Sequence, residues 1–191
     1  MPSVFYIGSE PEFLERASWL CQILLTVIAA IGAIFAGVQL RIVRQVSQAT
    51  LLLELDARFD SSEMRQARNQ FATVSEDVEK VVAANHPLAN DVAKREHAAQ
   101  LWKETLGLLR TDNEATYLKL IGWCGFFETV GLMVKKGYLS EEDVLDLFKG
   151  PLVDLDKAFR LHIEERGKET GVPNGLFEHA LSLSDIAIKA G

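Results

Sequence analysis

The sequence predicts an all-α protein: one N-terminal transmembrane helix continuing into a cytoplasmic α-helical bundle of about six to seven helices. Three observations predict it. Ala17 to Leu40 contains no charged residue, and Arg16 and Arg41 bound it. After Leu40, apolar residues recur every three or four positions, with Gly, Pro and Asn/Asp/Ser clusters as punctuation. No stretch alternates apolar and polar long enough to make a strand. Composition agrees. The 191 residues are 48% hydrophobic with a mean hydropathy of +0.08 although 25% are charged, and one segment holds much of that excess.

The apolar segment ASWLCQILLTVIAAIGAIFAGVQL spans about 36 Å as a helix, against a hydrocarbon core of about 30 Å. Gln22 and Gln39 lie near its ends and Trp19 at an interfacial position. A cleaved signal peptide fits less well. Glu10, Glu12 and Glu15 outweigh Arg16 at the start, and Arg41 and Arg44 follow as a stop-transfer edge. Two basic residues after the span against one before it place the N-terminus outside. The chain then divides into an extracytoplasmic segment 1–16, a transmembrane helix 17–40, a cytoplasmic helical domain 41–166, and a loose tail 167–191 with one weak helix. Ala29, Ala33 and Gly37 recur every four residues, as do Gly32 and Ala36, giving a small-residue face for a homo-oligomer in the bilayer.

Beyond the span, Ile42, Val46, Ala49 and Leu53 continue a helical stripe without a linker. Asp60 with Glu63 forms a box-like start for a second helix. Ser75 caps a short third, and NHPLAN breaks it. A fourth runs from about Asn90 to Leu109, placing Val92, His97, Leu101, Leu108 and Leu109 near one another. Asp112 caps a fifth that ends at Gly137, with Lys135 and Lys136 in its last turn. Ser140 opens a sixth, Gly150 ends it, and Pro151 begins a seventh at its first position. A last, weak helix covers about Glu178 to Ala190.

Leu120 to Val134 is a fifteen-residue apolar run with one charge, Glu128. It is too short for a comfortable span and carries a carboxylate at its middle, so it reads as the core helix. A buried carboxylate needs a donor. Arg65 and Arg68, on a helix face with Met64 and Phe71, are the expected partners in a buried ion pair.

Chemistry is hard to find. A net charge of −7 without a basic patch argues against nucleic acid. His86, His97, His162 and His179 form no Glu-x-x-His pair, and His162 with Glu164 and Glu165 reads as a solvated helix face. There is no Cys-x-x-Cys, no nucleophile elbow and no phosphate-binding glycine loop. Cys124, between Trp123 and Phe126, reads as an inert buried thiol, and Cys21 sits in the span, so the two should not pair. No catalytic, cofactor-binding or metal-ligating residue is assigned. Two functions remain. One is a membrane-anchored interaction module, scaffold or regulator, whose partners are the lipid bilayer, a second copy and an unidentified protein. The other is a small membrane-bound enzyme or ligand sensor with a site around Glu128 assembled on oligomerisation.

Three stretches together carry a family likeness: the span running into QATLLLELDARFDSSEMRQAR, then FFETVGLMVKKGYLSEEDVLDLF, then the helix from Pro151 to Arg166. Over residues 19 to 166 the chain resembles a family of bacterial single-pass membrane proteins, domain of unknown function 4760. The resemblance implies a bacterial inner-membrane protein with a helical cytoplasmic domain. It implies no activity, and it stops before residues 167–191.

Overall fold

The computed structural model describes residues 11–87, 90–171 and 176–190, with side chains from residue 17 onward. The first ten residues of the expected extracytoplasmic segment lie outside the described residues, as do Pro173 and Gly175 of the expected tail. Among the described residues the secondary structure is helical throughout: α1 (Pro11–Phe59), α2 (Ser62–Asn85), α3 (Asp91–Asp112), α4 (Glu114–Lys135), α5 (Glu141–Thr170) and α6 (Glu178–Lys189). The chain forms two compact units, Met1–Ser47 and Gln48–Gly191.

In the first unit, α1 starts on Pro11, whose missing N–H is no loss in a first turn. Its large apolar side chains, from Trp19 and Leu20 through Phe35 to Leu40, are all exposed. A helix that is apolar all round is made for a nonpolar environment. Among the described residues, two helices are long and apolar enough to cross a membrane, α1 from Ala17 onward and α4. They differ in burial: no part of the apolar window in α1 is covered, whereas α4 buries Leu120, Trp123, Cys124, Phe126, Phe127 and Val130.

In the second unit, the end of α1 turns its apolar stripe inward, but not through the residues expected. Leu53 is 70% exposed, while Leu55 and Phe59 are buried and Leu51 and Leu52 pack beside them. The stripe therefore lies two residues further along the helix. Phe59 meets Phe126, Phe127 and Phe148 at centroid distances of 5.5, 6.0 and 5.2 Å, which joins α1, α4 and α5 in one aromatic cluster. Phe71 of α2 centres a second, stacked on Trp102 of α3 at 5.0 Å and edge-on to Trp123 of α4 at 4.4 Å.

Helix boundaries depart from expectation where burial overrides local signals. Ser61, not Asp60, caps α2, its hydroxyl accepting the Met64 N–H at 3.3 Å. Asn113, not Asp112, caps α4, accepting from Thr116 at 3.2 Å. Ser75 starts no helix. It lies inside α2, where Val74, Val78 and Val82 continue one inward stripe through it. Gly150 and Pro151 do not divide two helices either; α5 runs through both. Its face of Val144, Phe148, Leu152, Leu155, Phe159 and Ile163 is buried on either side of Pro151. Burying each such side chain stabilises by about 1.5–3 kcal/mol, against about 3 kcal/mol for one interior proline. Six side chains outweigh one ring.

The described residues of the expected loose tail, 167–171 and 176–190, include the end of α5 and a packed helix. Gly171 ends α5 in the left-handed conformation at φ 69°. α6 follows with Ala180, Leu183, Ser184 and Ala187 buried against the domain.

Candidate functional site

Glu128 does not meet the arginines expected for it. Arg65 donates twice to the Asp60 carbonyl, at 3.0 and 2.8 Å. Arg68 donates to the Asp60 carboxylate at 3.0 Å, with its guanidinium 4.3 Å from the Phe59 ring centroid. Both therefore serve the C-terminal end of α1, where carbonyls and an acid lie only five and eight residues away.

Glu128 serves α6 instead, and its side chain is 29% exposed rather than sealed. Its Oε2 accepts the backbone N–H groups of His179 and Ala180, each at 2.9 Å. The first N–H groups of any helix lack partners within it. Phe177 occupies the N-cap of α6 at φ 55°, and its side chain offers no acceptor. Glu128 supplies the missing cap from 51 residues away, and its charge complements the positive end of the helix. Its other oxygen, Oε1, lies 3.2 Å from His179 Nδ1, without the alignment of a hydrogen bond.

One turn later on α4, Gly131 allows the close approach. A Cβ there would fall 2.4 Å from the His179 carbonyl oxygen. Glu128 and Gly131 thus work as a Glu-x-x-Gly seat for the start of α6. A cleft of about 350 Å³ borders this seat, lined by Val134, Lys135, Glu141, His179, Ser182 and Ile186 among others. Further along α6, Arg160 of α5 bonds both Asp156 and Asp185, and Ser184 donates to Asp156 at 3.2 Å.

His162 is a second polar group inside the fold. It is 3% exposed, so the solvated face expected of it belongs to Glu164 and Glu165 alone. Its Nε2 shares a hydrogen bond with the Tyr117 hydroxyl at 3.1 Å. Burial first, and the nearby Arg166 second, hold the imidazole below its ordinary pKa of 6.5. An unfolded chain therefore takes up this proton first as pH falls. The stability that neutral His162 contributes is whole above 6.5 and is lost from there down through the lower folded value. Denaturation midpoints measured from about pH 7.5 to about pH 5 should fall, and His162→Gln should flatten that slope. An equal slope in the variant would assign the acid sensitivity to other groups.

Cys124 is fully buried, and burial pushes its thiol pKa up, which disfavours the nucleophilic thiolate. Both cysteines are free. Among the described residues, no group of three or more His, Cys, Asp or Glu side chains is placed to hold a metal ion. Ala29, Gly32, Ala33, Ala36 and Gly37 all lie on the exposed part of α1, and Gly32 and Gly37 have open space beside them.

Among the described residues, six helices and no strand, led by a long apolar helix and with a distant carboxylate seating α6, define an all-α protein. The chain belongs to the family described as Domain of unknown function (DUF4760), which matches residues 26–183. That match reaches past residue 166, where the sequence likeness was expected to stop, and takes in the buried residues Ala180 and Leu183 of α6. Comparison with curated proteins gave no match, and neither did comparison with solved structures.

Proposed function

We propose that this chain is a membrane-anchored interaction module: residues 17–40 span the bilayer, the N-terminus lies outside, and the helical domain works in the cytoplasm as a scaffold or regulator. The observation that carries the reading is α1, whose apolar side chains from Trp19 to Leu40 are exposed all round the helix. Water would oppose that surface at about 25 cal/mol per Å², whereas lipid accepts it. Arg41 and Arg44 after the span support the orientation. The small-residue face of Ala29, Gly32, Ala33, Ala36 and Gly37 supports self-association of two spans.

A site around Glu128 has less support, because one carboxylate oxygen already caps α6 and the other faces His179. The net charge of −7 also opposes binding to a phosphate backbone.

Membranes from cells producing the chain should retain it in the pellet after washing at high salt and at alkaline pH, and detergent should release it. Cross-linking in those membranes before extraction should capture a second copy and a protein partner. A mature chain that begins after residue 40 would make the segment a signal sequence and overturn the anchor. An intact chain released by the alkaline wash would overturn it too.

A further inference from the structure

We propose that His86 and His97 form a two-imidazole binding site for a divalent transition cation of the Zn2+ class at the hairpin between α2 and α3. The two rings are in direct contact, with centroids 3.7 Å apart and planes at 63°. His86 caps the C-terminus of α2, its backbone N–H bonded to the Val82 carbonyl at 2.9 Å. His97 stands in the second turn of α3. Helix-end geometry thus brings together two residues that are eleven apart in sequence.

The tautomer of His97 follows from its partner. Its Nδ1 lies 2.7 Å from the Ala93 carbonyl oxygen. A carbonyl only accepts, so Nδ1 carries the hydrogen, and the neutral ring keeps its lone pair on Nε2. Metal-bound histidines are held in this way, with the second ring nitrogen donating to a backbone carbonyl or a carboxylate. The rings would turn onto a shared ion about their terminal torsions, which are broad and soft.

The local field also suits a cation. The last turn of α2 contains no basic residue, so the negative end of that helix is left without a compensating charge. On α3, Asp91 and Glu96 balance Lys94 and Arg95. Both imidazoles are half-buried, within reach of a hydrated ion. Imidazole pairs select Zn2+, Ni2+ or Cu2+ over Mg2+ and Ca2+, which favour oxygen ligands. Among the described residues no third His, Cys, Asp or Glu completes the set. Water then fills the remaining positions, so the bound ion is exchangeable and open to a further ligand.

The test uses the full, untagged chain in detergent, titrated with Zn2+ by calorimetry. One Zn2+ should bind per chain, and Mg2+ should give no heat. His86→Ala and His97→Ala should each weaken Zn2+ by at least the ~10-fold that outer-shell partners alone are worth. His86→Cys, which keeps a soft donor, should restore binding. Circular dichroism should show the same helix content in all three variants, and Zn2+ should raise the melting temperature of the wild type but of neither alanine variant. Unchanged Zn2+ affinity in either alanine variant would overturn the two-imidazole site. So would the absence of Zn2+ binding to the wild type.

Discussion

Replacing Phe127 with alanine is expected to destabilise the helical domain by about 3–5 kcal/mol, the usual cost of truncating a fully buried aromatic. Phe127 has no exposed surface and touches three helices' worth of rings. Phe59 of α1 lies at 6.0 Å, Phe126 of α4 at 5.1 Å and Phe148 of α5 at 5.9 Å between centroids. A cavity there is walled by side chains on separate helices, so no single rotamer change can fill it. Alanine is the better helix former, which returns at most about 0.7 kcal/mol. That is several-fold smaller than the loss. Chemical denaturation of the detergent-solubilised chain measures the difference. Leu118→Ala, also on α4 but 57% exposed, serves as the comparison and should change stability by little. Equal effects of the two substitutions would mean that the aromatic cluster does not hold the domain together.

Gly131→Ala should destabilise by about 1–3 kcal/mol through overpacking, although glycine to alanine inside a helix ordinarily gains about 0.5–1 kcal/mol. The added methyl would stand 2.4 Å from the His179 carbonyl oxygen and 2.7 Å from its carbon. These are backbone atoms of another helix and cannot swing aside, so α6 must move as a unit. Glu128→Ala attacks the same seat from the other side. It removes the acceptor of two N–H groups, and hydrogen bonds to a charged group are worth about 1.5–3 kcal/mol. Both variants should become easier to cut by protease between α5 and α6 while leaving the aromatic cluster in place. A stabilised Gly131→Ala protein would show that α4 and α6 do not approach this closely.

How much of this was legible in the sequence depends on the range of each interaction. The apolar span, the helical class and the core role of the Leu120–Val134 run follow from periodicity and charge placement over ten to twenty residues, and the structure bears out the helical class and the burial of that run. Local caps were harder, because Asp60 and Ser61, or Asp112 and Asn113, are adjacent residues of equal capping ability. Pro151 misled because a proline signal is local, while the buried stripe that overrides it extends over twenty residues of α5. Glu128 stood out in the sequence as a lone charge needing a donor, but the donors are backbone N–H groups, which no side-chain search can find. A signal did exist: Gly131 lies three residues on, at the spacing where one helix face pairs a small residue with an acceptor. His162 is buried beside two exposed acids. Glu164, two residues on, lies on a different face of α5, whereas Glu165, three residues on, is its neighbour at the edge of the buried stripe, so sequence spacing alone does not separate them.

The seat on α4 has a consequence for the order of synthesis. Glu128 and Gly131 leave the ribosome before the helix that covers them, and residues through His179 and Ala180 must follow first. At about 5–20 residues per second, the seat stays bare for some seconds in each new chain. During that interval the growing chain presents a capless carboxylate and an uncovered strip of α4 to any chaperone. A product truncated before residue 178 would keep that strip bare permanently. Docking of α6 therefore closes this strip, and a chain that carries α6 would differ from a fragment that lacks it in how much apolar helix it offers to a protease.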